Sequence, residues 1–334
     1  MLTNLSFQSM PLPSTASKAS VWLSRRCQCI YRNLALEDWL FRRNAFTDQD
    51  GLLIWRNRPA VVIGRHQNPW VEVDVKYARE HGIDVARRQS GGGAVYHDLG
   101  NVNICVFTNK ARHRRDDNMR MLARVLMRNW GLSAEVSKRH DLYLDGKYKI
   151  SGTAAKLTHD KAYHHFTLML DVDMKHLWPV LSPSLPGISS KATASVRSGV
   201  KTLSDVRQGI EYEAMVQAIV DEFRSNYQAI EVHEIDSITS DRFPGIEQTF
   251  DEFSSWQWIY GNTPPFTVSV TINRDFLHIP LTLNVEKGLV SGFSIGQNAA
   301  PPNSFEEILN KSDFVGSRFD QIIWRRIIDF IESI

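Results

Sequence analysis

The sequence predicts an α+β fold in two unequal units, and three observations carry that expectation. The chain has 334 residues, more than one hydrophobic core usually holds, since cores seldom grow past about 250 to 300 residues. Short apolar runs closed by turn residues are interspersed with longer stretches of helical period. Beyond residue 250 the pattern changes to strand-like runs followed by helices, which divides the chain into 1–28, 29–249 and 250–334.

The first of these is expected to be a leader. Met1 to Leu36 holds no acidic residue, while Lys18, Arg25, Arg26 and Arg32 are basic and Ser6, Ser9, Ser14, Ser17, Ser20 and Ser24 lie among them. That is the composition of a mitochondrial transit peptide; a secretory signal needs a compact apolar run of about 7 to 15 residues after its charges. Structured chain is expected from Asn33, which can cap a helix through Leu34, Leu36, Trp39, Leu40 and Phe41. Leu52 to Trp55 and Ala60 to Ile63, separated by Arg56, Asn57, Arg58 and Pro59, read as a hairpin. Val71 to Gly82 is helical in its later half, Asp84 to Arg87 is a strand, and Ala94 to Tyr96 and Val102 to Thr108 are the next two. Lys110 to Asp117 reads as a basic, solvated loop before a helix from Met119 to Trp130, and Arg112 to Arg115 as a docking patch for an acidic partner or a solvated face. Leu142 to Leu144 and Tyr148 to Ile150 flank Asp145-Gly146, a strong hairpin signal. Ser182 to Ser198 gathers proline, glycine and serine without period and is expected to be a long surface loop. A helix near Tyr212 to Tyr227, strands at Phe266 to Ile272 and Leu281 to Val285, and helices near Phe305 to Asn310 and Phe319 to Ile331 complete the chain.

Composition narrows the partners. Thirty-nine basic side chains face 37 acidic ones, so the global charge does not select nucleic acid, and no apolar run approaches the roughly 20 residues of a membrane span. Neither nucleic acid nor membrane is expected as a partner. Cys27, Cys29 and Cys105 are too few for a disulfide framework and too badly spaced for a zinc site, which fits a reducing compartment.

Two segments can carry chemistry. Arg87-Arg88-Gln89-Ser90-Gly91-Gly92-Gly93-Ala94-Val95-Tyr96-His97-Asp98 joins two arginines to three glycines directly after a strand. Glycines let backbone amides approach a ligand, and arginines supply charge where an anion or polarised carbonyl must lie. A flexible turn beside a surface charge pair is the alternative. The later glycine or Gly-Lys-Ser/Thr of a nucleotide-binding loop is missing, and Arg88 stands where a nucleophile elbow at Ser90 needs glycine. In Lys147 to Ala154, Lys149 precedes Gly152 between two hydroxyls and can present a point charge to a phosphate or an acyl carbonyl. His164 and His165 are adjacent, so on a strand they face opposite ways and cannot form one metal site.

Asn33 to Phe41, Trp55 to Trp70, Arg87 to Asn103, Asp145 to Ala154, His164 to Leu170 and Lys191 to Leu203, in this order, resemble the successive motifs of the lipoate-protein ligase and lipoyltransferase family. Trp256 to Pro264 is similar to the opening of that family's small carboxy-terminal domain. The resemblance implies a biotin/lipoate protein ligase-like catalytic domain of mixed β-sheets flanked by helices, followed by a small α/β accessory domain. It implies that Arg88, Ser90, Gly91, Gly92, Gly93 and Tyr96 close over a lipoyl chain and its activated carboxyl, and that Lys149 is the essential lysine between acyl carbonyl and phosphate. Asn103, Arg139, Asp141, Thr167, Thr193, Ala194 and Val196 are implied in binding lipoyl-AMP. The implied activity is transfer of a lipoyl group to a lysine of the lipoyl domains of 2-oxoacid dehydrogenase E2 subunits in the mitochondrial matrix. The donor is lipoyl-AMP or lipoylated glycine cleavage H protein, and no metal is expected for transfer; Mg2+ and ATP enter only if the enzyme activates lipoate itself, as an ATP-dependent ligase does. A non-catalytic protein that binds a lipoyl domain or an acyl nucleotide is the reading from another class.

Overall fold

The computed structural model describes residues 17–274, 277–296 and 302–333. Its centre is a six-stranded sheet of β1 (Lys18–Ser24), β2 (Gln49–Trp55), β6 (Asn101–Asn109), β10 (Thr153–Leu157), β11 (Lys161–Met169) and β13 (Ala229–Ile235), in the order β10-β11-β6-β2-β1-β13. β13, β1 and β2 run parallel, whereas β2, β6, β11 and β10 are antiparallel. β1 and β2 are apolar on both faces because both faces are covered: Trp22 enters one core, while Ala19, Val21 and Leu23 enter another.

On the first face α1 (Ile30–Arg43) packs with a three-stranded sheet of β3 (Ala60–Ile63), β4 (Asp84–Arg87) and β5 (Val95–His97), ordered β4-β3-β5. Short helices α2 (Pro69–Glu72), α3 (Val75–Glu80) and α5 (Met174–Val180) border it. On the second face α4 (Arg115–Trp130) and α6 (Tyr212–Arg224) close a core with a small sheet of β7 (Ala134–Val136), β8 (Leu142–Leu144) and β9 (Tyr148–Ser151). The expected turn between β8 and β9 is present, with Asp145 at φ 52° and Gly146 at φ 61°, a pair of left-handed residues that matches the twist of a two-residue hairpin.

After α7 (Ile246–Ser254) the chain builds a second sheet from β12 (Ile188–Ser190), β14 (Phe266–Arg274), β15 (Leu277–Glu286) and β16 (Leu289–Ile295), covered by α8 (Pro302–Asn310) and α9 (Gln321–Ser333). Trp324, Ile327 and Ile331 recur at helical spacing on the buried stripe of α9. Trp70, from the large unit, joins this core and packs its ring against Phe266 and Phe319.

Six expectations change. Residues 18–24, read as leader, are β1, hydrogen-bonded between β2 and β13; basic and serine residues are tolerated because they lie at the strand's ends and between its apolar positions. Asn33 is not a cap, since α1 begins at Ile30; its buried amide accepts from Ser24 Oγ and donates to Cys27 O and Asn57 Oδ1. β2 and β3 do not pair as a hairpin but go to different sheets, because Asn57 is buried in the connection and turns the chain between layers. Arg112 is not solvated: it is drawn inward to Asp50 at 2.8 Å and to the carbonyls of Phe46 and Thr47. The boundary read at residue 250 falls inside α7, whose Ile246 and Phe253 belong to the large unit's core, and the small unit's core takes up the chain at Phe266. The long loop 182–198 also contributes β12, which pairs with β14.

Candidate active site

A cavity of about 500 Å³ opens where the large sheet, the β3–β5 sheet and the β8–β9 hairpin meet. Its inner end is walled by Leu34, Trp55 and Val62, and its mouth by Arg115, Lys138, Arg139, His140, Asp141 and Lys149.

Lys149 is placed by backbone as well as by charge. Its N–H donates to Gly199 O, its carbonyl accepts from Lys201 N, and its Nζ lies 2.9 Å from Asp141 Oδ1. Gly152 leaves room for it: a Cβ there would stand 3.4 Å from Lys149 Cε. Gly152 N donates to Thr167 Oγ1 at 3.1 Å, and Thr167, Asn103 and Trp55 form one row across three strands of the central sheet. Asn103 Nδ2 donates to Trp55 O, which ties that row together.

The two arginines of the glycine segment do different things. Arg87 is fully buried and turned away from the cavity, donating to the carbonyls of Gly64, Arg65, Gln67, Trp258 and Ile259. Arg88 borders the cavity and spends its donors on the glycine loop, reaching Gly91 O at 2.6 Å, Gly93 O at 2.8 Å, Val62 O at 2.9 Å and Ser90 Oγ at 3.0 Å. Burial pushes both guanidiniums down to about 10, so each is still charged at neutral pH. The loop is thus wrapped around an internal cation. Its glycines are required by proximity: Gly92 has φ 90°, and a Cβ on Gly93 would stand 2.9 Å from Ser195 Oγ. Ser195 Oγ accepts from Ala94 N at 2.8 Å and from Gln67 Nε2 at 3.0 Å, which latches segment 193–198 onto the loop.

Of the residues singled out from the sequence, Arg88, Gly92, Gly93, Asn103, Arg139, Asp141, Lys149, Thr167 and Val196 line one cavity. Ser90 lies beneath it, buried between Arg88 and His165, and Gly91 faces open space. Tyr96 points away into the core, because Val95 and His97 take the cavity side of β5 and alternate residues of a strand face opposite ways. Thr193 is held through its backbone by His66 and Gln67, and Ala194 is exposed outside the lining. Sequence reading missed Arg115, Lys138, His140, Ser195 and the pair His97 and His165. The period of two along β5 and β11 was the available signal for the last two.

Most polar groups of the inner end are tied off, the exceptions among the described residues being Trp55 Nε1 and His97 Nε2, which are buried without a hydrogen-bond partner. His165 donates from Nδ1 to Glu37 Oε2 at 2.8 Å and meets Ser90 Oγ at 2.7 Å with Nε2. Asn33 donates to Asn57 Oδ1, so Asn57 turns its Nδ2 to His97 Nδ1 at 3.2 Å. Burial pushes the His97 imidazole down to about 3, with Arg88 adding to the effect. It is neutral at physiological pH. At the mouth, Arg115 donates to Thr153 Oγ1 at 2.9 Å, and His140 Nδ1 donates to Asp116 Oδ1 at 2.6 Å. A largely apolar slot, with Trp55 Nε1 and His97 Nε2 as its unpaired polar atoms, thus leads to a cationic mouth. It suits a molecule with an apolar tail and an anionic head.

Residues 29–224 match the lipoyl protein ligase A/B catalytic domain. Over 300 residues the chain is 39% identical to the mitochondrial lipoyl amidotransferase LIPT1 of Mus musculus, covering 87% of this chain and 79% of the relative. Lipoate-protein ligase A of Bdellovibrio bacteriovorus is 33% identical over 282 residues, covering 83% of this chain and 82% of the relative. The crystal structure of P. falciparum LipL1 in complex with lipoate superposes with a TM-score of 0.65 at 25% identity, covering 94% of this chain and 98% of the other. The α+β architecture around the cavity and these matches agree: the chain belongs to the lipoyl protein ligase A/B family, the enzymes of protein lipoylation.

Proposed function

We propose that this enzyme transfers the lipoyl group of lipoyl-AMP, or of lipoylated glycine cleavage H protein, to one lysine of the lipoyl domain of a 2-oxoacid dehydrogenase E2 subunit, in the mitochondrial matrix. The observation that carries the reading is Lys149, paired to Asp141 at the junction of an apolar slot and a cationic mouth. A carboxylate and an ammonium do not condense at neutral pH, so the acyl group must arrive activated. With the eight-carbon tail in the slot, each buried CH₂ contributes about 0.8 kcal/mol to donor affinity. The acyl carbonyl then lies at Lys149, whose ammonium stabilises charge first on that oxygen and next on the departing phosphate. Gly92 and Gly93 line the same cavity, and each loop amide well aimed at that oxygen contributes about 3 to 4 kcal/mol in the transition state. Arg139, Thr167 and Val196, which line the cavity, bind the nucleotide, and Ser195 holds segment 193–198 against the glycine loop.

The amidotransferase name of the mouse relative supports transfer from a preformed donor. Arg197, in the segment latched over the loop, and the ligase name of the Bdellovibrio relative favour a second reading, in which the enzyme also makes lipoyl-AMP from lipoate and ATP. For import, the leader ends before Lys18, because cleavage after residue 28 would remove an interior strand with Val21, Trp22 and Leu23. Burial of such side chains contributes about 1.5 to 3 kcal/mol each.

Mass spectrometry of an apo lipoyl domain tests this, after incubation of protein beginning at Ser17 with lipoyl-AMP, lipoylated H protein, or lipoate plus ATP. Modification from the first two alone makes it a transferase. Modification from lipoate plus ATP as well makes it a self-activating ligase, and no modification from any donor overturns the proposal. A chain beginning at residue 29 is expected not to fold, as read by circular dichroism.

A further inference from the structure

We propose that His140, oriented by Asp116, is the base that takes the proton from the attacking lysine. The inference rests on the transfer reaction above and concerns a step in it that Lys149 cannot perform, because a charged ammonium has no lone pair to receive a proton.

Between ammonium and amide the acceptor nitrogen loses two protons. One leaves to solvent and exposes the lone pair. The nitrogen then attacks the acyl carbon; the C–N bond forms, the bond from that carbon to the phosphate oxygen breaks, and AMP departs with its electron pair. The second proton is shed as the C–N bond forms, and it needs an acceptor at the mouth.

Among the described lining residues, Asp141 is the only carboxylate. Its Oδ1 holds Lys149 at 2.9 Å, so protonating it would release the ammonium at the moment the carbonyl oxygen needs it. Of the three lining histidines, His165 has both ring nitrogens engaged, and His97 turns Nδ1 to Asn57 and is buried in the inner end. His140 differs from both. Its Nδ1 donates to Asp116 Oδ1 at 2.6 Å, which leaves the lone pair on Nε2, and its side chain is 30% exposed at the mouth, where a protein lysine must enter. An imidazole oriented by a carboxylate through one nitrogen and free at the other is the arrangement of a general base.

The turn that carries it is built to hold this direction. His140 has φ 64°, its N–H donates to Ser137 O, Ser137 N donates to Asp141 O, and Ser137 Oγ accepts from both Arg139 N and Asp141 N. Five residues are thereby cross-linked around one side chain, and the same turn presents Asp141 to Lys149. The other charged or titratable groups near His140 are Arg115 at the start of α4, His113 beside it, His164 on β11, and Lys138, Arg139 and Asp141 in its own turn.

The test compares two nucleophiles with preformed lipoyl-AMP: the lysine of an apo lipoyl domain, and hydroxylamine, which is neutral at pH 7 and so weakly basic that its nitrogen, once attached to the acyl carbon, gives its proton to water without a positioned base. His140→Asn removes the base, and asparagine accepts the left-handed backbone. Its single-turnover rate with lysine is expected to fall about 100-fold, while its rate with hydroxylamine changes by less than about 3-fold. Asp116→Asn should lose about 10-fold with lysine only. Equal losses with both nucleophiles, or a lysine rate in His140→Asn within about 3-fold of wild type, overturns the inference while leaving the transfer reading intact. Wild-type protein that releases AMP to neither nucleophile overturns both.

Discussion

The two ends of the cavity are made of similar residue types and behave differently. At the inner end His97, His165, Asn103 and Arg88 are all buried, and each is committed to a protein partner. At the mouth Lys149, His140 and Arg115 are partly exposed, and each has one fixed contact with other hydrogen-bonding positions left over. The inner end is therefore a shape, and the mouth is the set of groups that the proposed transfer uses as reagents. Satisfied groups in a low-dielectric wall cost little and attract no polar ligand, whereas half-exposed charges held by one partner are aimed without being neutralised.

Substitutions should separate the two ends. The largest effect is expected from Trp55→Ala, which removes a buried wall of the inner end and should lower unfolding free energy by about 3 to 5 kcal/mol in urea titrations. A loss under about 1 kcal/mol would mean the slot collapses easily and is not a fixed shape. Lys149→Met should cut transfer from lipoyl-AMP about 100- to 1000-fold, with thermal stability and donor binding by calorimetry nearly unchanged; a matching loss of donor affinity would make the lysine part of the shape. Gly93→Ala forces its new Cβ against Ser195 and should raise the donor KM and lower kcat, each about 10-fold in steady-state kinetics, since it loosens the latch and shifts the loop amides with it.

The smallest effect is a pH dependence of stability. The folded His97 is held near 3 against an ordinary value of 6.5, so the unfolded chain binds a proton below pH 6.5 that the folded chain refuses. Its contribution is complete above 6.5 and is lost as pH falls towards 3, with a slope of at most about 1.4 kcal/mol per pH unit. His97→Gln, whose carbonyl can still accept from Asn57, should flatten that slope between pH 6.5 and 5 in urea midpoints. An unchanged slope would assign it to His164, which burial also pushes well below its ordinary value.

Local elements were legible where local energetics decide them. The strand Asp84–Arg87 and the Asp145-Gly146 hairpin follow from side-chain period and from the left-handed residues that two-residue turns demand. The glycine loop and Lys149 were visible because a triple glycine between apolar runs has few other uses. Tyr96 was misplaced by one residue's worth of alternation, and its neighbours Val95 and His97 were missed for the same reason. His140 was passed over although Arg139 and Asp141 on either side were named, because a lone histidine in a turn carries no signal until Asp116, 24 residues earlier, is brought beside it.

By itself the sequence determined the α+β class, the membership of the chain in its family, and the glycine loop and Lys149 as candidates for the site, since these depend on residue types in order along the chain. Tertiary structure decided that residues 18–24 are an interior strand, that β2 and β3 part to different sheets, that Arg87 serves five carbonyls while Arg88 shapes the loop, and that His140 meets Asp116. The physical reason is common to all four. Period and propensity specify which face of an element is apolar, but the partner that covers it comes from distant chain, and only packing selects it.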